Sequence, residues 1–385
     1  MGFRNTFIIV YCTIVGFAVL YATQPLLPLL AAQWNRPVGD TALLTTATML
    51  PLALGPLLYG YILEHVSTKH MLTAGFSVLT LAQFAISFAP DYPVFFLLRT
   101  IEGAMLPAIF TALMTYSSSA GGHSKTRRNI TVYIAATIAG GYSGRVFSGI
   151  ITDFFGWPTA FLFWAVAALL ATWLTTRLAS DPRLRLGKVR LAEIRALARR
   201  PVYAEGLISA FLLFFVFAAM LNFLPFHMRD NDPNISQSEI ALVYTGYLIG
   251  VVISLASLHL VRLFGGERRT LVIGSIIYLV GTAAFALPGN RLAYVSMLLF
   301  AAGMFTLHSV LSAFLNHLEA ERKGLVNGLY VSAYYTGGAL GSYLPGFLYL
   351  GFGWRSFIAF LLVLVLALTG LSLLLRQAPV TADGH

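Results

Sequence analysis

The chain has 385 residues, 58% of them hydrophobic and only 10% charged, with a formal net charge of +10 and a mean hydropathy of +0.77. A water-soluble domain carries roughly 25% charged residues, so these proportions exclude an ordinary soluble protein and indicate an all-α, multi-pass membrane protein. The single cysteine, Cys12, excludes an intrachain disulfide and a cysteine-only metal site, and without a CxxC, HExxH, P-loop or GxSxG segment no enzyme, metal or cofactor is expected.

A membrane-crossing helix needs about 20 mostly apolar residues. The sequence predicts twelve such runs, starting near Thr6, Asp40, Lys69, Tyr92, Asn129, Trp157, Val202, Ser238, Thr270, Arg291, Gly324 and Trp354. Turn-forming segments such as RPVGD, APDYP, SSSAGGHSKTRRN, NDPNIS, FGGERR and LPGN separate them. The runs lack strand-like alternation and are too long for barrel strands. The first, Phe7 to Ala32, exceeds a signal-peptide core and reads as a retained helix. Its segment LYATQPLLPLL sets Tyr21 and Gln24 just before Pro25 and Pro28. Prolines there free backbone carbonyls that a cavity can satisfy. Between the second and third runs lie Gly60, Glu64 and Lys69.

The fourth run, VFFLLRTIEGAMLPAIF, contains Arg99 and Glu102, three residues apart and so on one helix face. Charge at membrane depth is costly, at least about 2.5 kcal/mol per residue on insertion scales. Counting from Tyr92 at 1.5 Å per residue puts Arg99 about 10 Å deep and Glu102 ~15 Å deep. In the fifth run Arg145 precedes Asp153 by eight residues, roughly 12 Å of helix, so all three can share one layer. Burial opposes an ionised Glu102 and a nearby arginine favours it. Movement of arginine would therefore admit or expel a proton; the structural alternative is a permanent ion pair locking two helices. Arg145 has Glu102 or a substrate anion as candidate partners, or its head reaches the outer interface.

The stretch Arg177 to Pro201 holds eight basic residues against Asp181 and Glu193, and KVRLAEIRALARR within it has amphipathic helical spacing. It reads as a basic cytoplasmic linker, 179–201, between six-helix bundles 1–178 and 202–385. With both termini cytoplasmic, nineteen of the 25 Lys and Arg fall on inner segments, four on outer ones (Arg36, Arg229, Arg291, Arg355) and two within helices. This is the positive-inside bias. It accounts for the positive charge without nucleic acid. In the seventh run come Phe215 and Asn222, the latter ahead of Pro225; in the tenth, Phe305 and His308; in the eleventh, Tyr330 and Tyr334, four apart on one face. Tyr21, Gln24 and Asn222 are candidate polar anchors for substrate, with Phe215, Phe305, Tyr330 and Tyr334 as aromatic walls. Core packing is the plain alternative for each. His308 is a second candidate for proton transfer, since imidazole changes charge near neutral pH.

An internal repeat organises these elements. Residues 140–164 and 337–361 match at 8 of 25 positions without gaps, at an offset of 197, and the same offset carries Pro28 onto Pro225. Two six-helix halves in parallel repeat resemble the major facilitator superfamily over the whole chain. Gly60, Glu64 and Lys69 fit that family's loop motif, although His65, Ser67 and Thr68 depart from it. Arg99-Thr-Ile-Glu102-Gly103 resembles its proton-linked Arg-x-x-Gln-Gly motif, with an acid for the amide. Gly140-Gly141-x-x-Gly144-Arg145-x-x-x-Gly149 resembles its glycine-rich antiporter motif, with Arg145 for proline. The combination points to the bacterial drug:proton antiporter-like branch.

The resemblance implies a cavity lined by the first, fourth, seventh and tenth helices. It also implies a monomer in the bacterial inner membrane that exports small amphiphilic compounds by alternating access. Protons would be its coupling ion, with Glu102 as carrier and Arg99 and Arg145 tuning it. An organic anion such as a carboxylate metabolite or siderophore, moved in either direction, is the alternative cargo. A non-transporting receptor or assembly protein on the same scaffold is the alternative of another class.

Overall fold

The computed structural model describes residues 3–119, 123–178, 191–319 and 323–375, with side chains described outside 56–65, 119, 123–127, 191 and 323. Helix accounts for every regular element among the described residues. The first half runs α1 (Phe3–Tyr21), a 3-10 turn (Gln24–Leu26), α2 (Leu27–Gln33), α3 (Val38–His65), α4 (Thr68–Ile86), α5 (Tyr92–Ser119), α6 (His123–Phe155) and α7 (Trp157–Thr176). A short α8 (Leu191–Ala198) precedes the second half. That half comprises α9 (Pro201–Asn231), α10 (Gln237–Leu242), a 3-10 stretch (Val243–Leu248), α11 (Ile249–Leu263), α12 (Glu267–Ala284), α13 (Asn290–His317), α14 (Lys323–Gly341) and α15 (Gly346–Leu374).

By length and composition, eight segments among the described residues can cross a membrane: α1–α2, the start of α3, α5, α7, α9, α10–α11, α13 and α15. The helices α4, α6, α12 and α14 have 18 residues or more but are more polar. Their outward leucines and phenylalanines, with those of the other helices, leave large apolar side chains such as Phe84, Leu169, Val252 and Leu366 on the surface. Lipid accepts such a surface and water does not.

A boundary differs from the sequence expectation at the start of α6. His123 to Arg128 is helical and begins α6, where a loop was expected up to Asn129. The segment α15 is two helices joined across non-helical Gly353, whose φ of 75° only glycine adopts without strain, so its second part starts at Trp354, where the last run was expected. The eighth run starts as α10, fixed by a Ser236–Glu239 capping box, and then tightens to 3-10 geometry. In α8 and just after it, Leu197 is buried while Arg195 and the following Arg199 are exposed, the amphipathic pattern expected; residues 179–190 of the linker lie outside the described residues.

The repeat is visible in the packing. A Cβ on Gly140 would press on the carbonyl of Ile14, and one on Gly144 on that of Ala18. Gly337 and Gly341 stand against Phe211 and Phe215 in the same way. Glycines and partners are all displaced by 197 residues, so α6 crosses α1 as α14 crosses α9. Close approach of membrane helices requires such small residues.

The two halves meet along α3–α14 and α6–α10. The side-chain hydrogen bonds joining them cluster toward one end. Thr45 Oγ1 donates to Asn222 Oδ1 at 2.7 Å, and Thr46 Oγ1 lies 2.9 Å from Ser342 Oγ. Within the second half, Asn222 Nδ2 donates to the Ser342 carbonyl at 2.7 Å, which ties the two seam positions together. Asp153, at the end of α6, accepts from the backbone N–H groups of Gln237 and Ser238 at 2.8 and 2.7 Å. A carboxylate there also suits the positive end of the helix that begins at Gln237.

Candidate functional site

Two arginine centres lie between the helices, and they are separate. The first is built by α1, α3, α4 and α5. Arg99 and Glu102 are both fully buried, and Arg99 Nη1 donates to Glu102 Oε2 at 2.6 Å. The other carboxylate oxygen accepts from Gln83 Nε2 at 2.6 Å. Arg99 also donates to the carbonyls of Val19 (3.1 Å) and Leu20 (3.0 Å) and to Thr48 Oγ1 (3.3 Å). Gly103 permits this arrangement, because a Cβ there would overlap the Ala47 carbonyl and hold α5 away from α3. A buried pair overcomes its desolvation cost only when its remaining donors and lone pairs are bonded. Here two atoms stay without partners, Arg99 Nε and Gln83 Oε1.

The second centre joins the halves around Arg145, which is 1% exposed. Its Nε donates to Gln24 Oε1 at 2.7 Å and its Nη1 to the Gly141 carbonyl at 2.7 Å. Three tyrosine rings face the guanidinium: Tyr21 at 4.1 Å, Tyr244 at 5.1 Å and Tyr247 at 5.2 Å. Such cation–π contacts contribute about 0.5–2 kcal/mol each. No described carboxylate forms an ion pair with Arg145. The layer expected to bring Arg99, Glu102 and Arg145 together is thus split, and Glu102 belongs to Arg99. Gln24 lies where α1 breaks: Pro25 and Pro28 have no N–H for the helical ladder, and the chain turns through Gln24–Leu26.

The other candidates take various places. Asn222 is a seam residue between the halves, through Thr45 and Ser342. His308 and Tyr330 hydrogen-bond through Nδ1 and the phenol at 2.8 Å. Tyr334 lies with its ring 4.7 Å from that of His308 and stacks on Phe214 at 3.8 Å. Phe305 packs against Tyr247 at 5.0 Å, beside the Arg145 cage. Phe215 packs toward Phe360 on α15. Lys69 Nζ donates to the Leu178 carbonyl at 3.3 Å, tying α4 to the end of α7. Gly60 and Glu64 lie in α3, but their side chains fall outside the described residues.

Sequence reading missed four contributors: Gln83, Thr48, Tyr244 and Tyr247. Gln83 carried a signal, as an amide inside the apolar run of α4. Tyr244 and Tyr247 are three apart, neighbours on an α-helix face and eclipsed in a 3-10 turn. The local 3-10 winding is what presents both rings to Arg145.

Comparison with known proteins agrees with this architecture. A model of the Major Facilitator Superfamily matches residues 9–232 and 230–384. The chain is 25% identical to the uncharacterized MFS-type transporter YybF of Bacillus subtilis, over 92% of this chain and 89% of that one. It is also 25% identical to the inner membrane transport protein YnfM of Escherichia coli, over 95% and 89% of the two chains. Among solved structures, the nucleoside transporter NupG superposes with a TM-score of 0.76 over 96% of this chain and 98% of that one, at 13% identity, a likeness of fold.

Proposed function

The chain belongs to the Major Facilitator Superfamily, and from its geometry we propose that it is a proton-coupled secondary transporter exporting small amphiphilic solutes by alternating access. That it is a multi-pass inner-membrane transporter, and not an enzyme, follows from the family and its relatives. The coupling, cargo and direction are the proposal. So are the crossing of the membrane by α4, α6, α12 and α14, which makes twelve spans, and the cytoplasmic placement of both termini.

One observation carries the coupling: the Gln83–Glu102–Arg99 group can hold Glu102 in either protonation state. With Glu102 ionised, Gln83 Nε2 donates to it and Gln83 Oε1 has no donor. If Glu102 takes a proton, rotating the Gln83 amide by half a turn offers Oε1 to the new O–H. One amide atom is unpartnered in each arrangement, so the number of hydrogen bonds is conserved. A pure structural lock does not call for this freedom. Arg99 then keeps its bonds to the Val19 and Leu20 carbonyls, which stabilise it without the carboxylate.

The seam through Thr45, Thr46, Asn222, Ser342 and Asp153 would be the closed gate on the expected outer face, leaving the cytoplasmic side to receive solute. The glycine-rich Gly140–Gly149 segment, similar to an antiporter motif, favours counter-movement of proton and solute. Proteoliposomes loaded with a pH-sensitive dye test the proposal. Solute-dependent proton flux should be present in the wild type and absent in Glu102→Gln; flux that survives the substitution refutes Glu102 as carrier.

A further inference from the structure

We infer that the Arg145 cage is a substrate subsite for the carboxylate of an amphiphilic organic anion. The inference deepens the transporter reading above by naming a substrate class, and it rests on that reading.

Arg145 is buried at the junction of the two halves with no acidic partner among the described residues. Tyrosine faces stabilise a cation but leave its charge uncancelled. The neighbouring amide adds a second, independent sign. Because Arg145 Nε donates to Gln24 Oε1, that oxygen is the accepting end of the amide and the NH2 is left to find a partner elsewhere. That Nε2 is buried and has no acceptor. The adjacent Thr23 hydroxyl is also buried and unpartnered. Two buried, unpartnered donors on adjacent residues thus accompany a buried positive charge, and no described residue supplies an anion to it. A carboxylate completes such a set, since guanidinium presents parallel N–H groups that match its two oxygens. The tyrosine rings suit an aromatic or aliphatic body behind it. A cationic amphiphile would meet like charge instead.

Position fits a transported ligand. Tyr21 and Gln24 come from the broken first helix, Arg145 from α6, and Tyr244 and Tyr247 from the second half. A ligand held here touches both halves, as a solute must if its binding is to bias their rocking.

The test is calorimetric binding to the full-length protein in lipid nanodiscs. Benzoate, naphthoate and phthalate would each be titrated beside the matching neutral amide and the matching amine. At least one carboxylate should bind, roughly tenfold or more tighter than its amide. Arg145→Gln should abolish that preference, and Gln24→Leu should reduce it. Should Arg145→Gln fail to fold, Arg145→Lys keeps the charge but loses the fork, and should weaken the carboxylate while leaving the amide unchanged. Absence of carboxylate binding at millimolar concentration, equal or tighter binding of amide or amine, or a preference that survives these variants would overturn the assignment. The dye-loaded proteoliposomes keep the two proposals apart. Carboxylate binding without proton flux retains the subsite and removes the coupling, whereas amine-driven proton flux with no carboxylate binding does the reverse.

Discussion

Arg99 and Glu102 allow a quantitative test of how the first centre is held together. Both side chains are fully buried, with donor and acceptor 2.6 Å apart. Arg99→Met leaves the carboxylate with Gln83 as its one described donor and removes the bonds to Val19, Leu20 and Thr48. Breaking a buried pair from one side costs about 3–5 kcal/mol. Glu102→Gln is milder. The new amide oxygen accepts from Arg99, and its NH2 donates to Gln83 Oε1 once that amide turns. Hydrogen bonds are conserved, and the loss of charge neutralisation should cost about 1–2 kcal/mol, with three oxygens still around the guanidinium. In the double variant no charge is left to strand, so its cost should fall short of the sum of the singles by about 2 kcal/mol. Reversible unfolding in mixed micelles of dodecyl sulfate and maltoside detergent measures all four corners. A cost under about 1 kcal/mol for Arg99→Met, or equal costs for both singles, would refute this account of the pair.

Gln83→Leu leaves the Arg99–Glu102 bond but removes the amide that adapts to either protonation state. It should cost about 1 kcal/mol and abolish solute-dependent proton flux, so dye-loaded vesicles with undiminished flux would contradict it. Gly144→Val and Gly341→Val should each destabilise by about 1–3 kcal/mol, because the new side chain meets the backbone of Ala18 or Phe215. Similar falls in detergent melting temperature are expected for the two variants, and a fall in only one would break the repeat equivalence. Asn222→Ala removes the bonds to Thr45 and Ser342, and Asp153→Ala uncaps α10. Each should open the seam, raising by severalfold the labelling of a cysteine placed at position 49, one helical turn beyond Thr45, in a Cys12→Ser background; unchanged labelling would show that these bonds do not hold the gate.

Much of the fold was legible because lipid imposes a simple rule on sequence. Backbone groups must be bonded within each apolar segment, so helices announce themselves as long runs. The 197-residue offset was legible because close crossings demand glycine at fixed positions, as Gly140 and Gly337 show. Helix beginnings were harder to read. HSKTRRN looks like a loop by composition, yet charged residues continue α6 without penalty beyond the apolar zone. Arg99 and Glu102 could be placed on one helix face from their spacing, but the sequence left the partner of Glu102 open between Arg99 and Arg145. The partners of Arg145 could not be placed. They come from α1 and from the other half, more than 90 residues away on either side, and the 3-10 winding that aligns Tyr244 with Tyr247 leaves no clear mark in VYTGYL.

The two centres share one piece of backbone. Arg99 holds the carbonyls of Val19 and Leu20. The next residue, Tyr21, lies under the Arg145 guanidinium, and the helix then breaks to place Gln24 on its other side. A segment of six residues is therefore gripped by Arg99 at one end and by Arg145 at the other. Prolines at 25 and 28 leave this segment with fewer internal hydrogen bonds than an unbroken helix, so less energy opposes its movement. Protonation of Glu102 would release one strong restraint on Arg99 and increase its pull on the two carbonyls. A carboxylate bound at Arg145 would draw the Gln24 amide toward itself. Each event acts on the same turn. Linkage requires that if protonation changes solute affinity, solute changes proton affinity by the same factor. The broken first helix, touched by both arginines, is a physical connection through which this structure can meet that requirement.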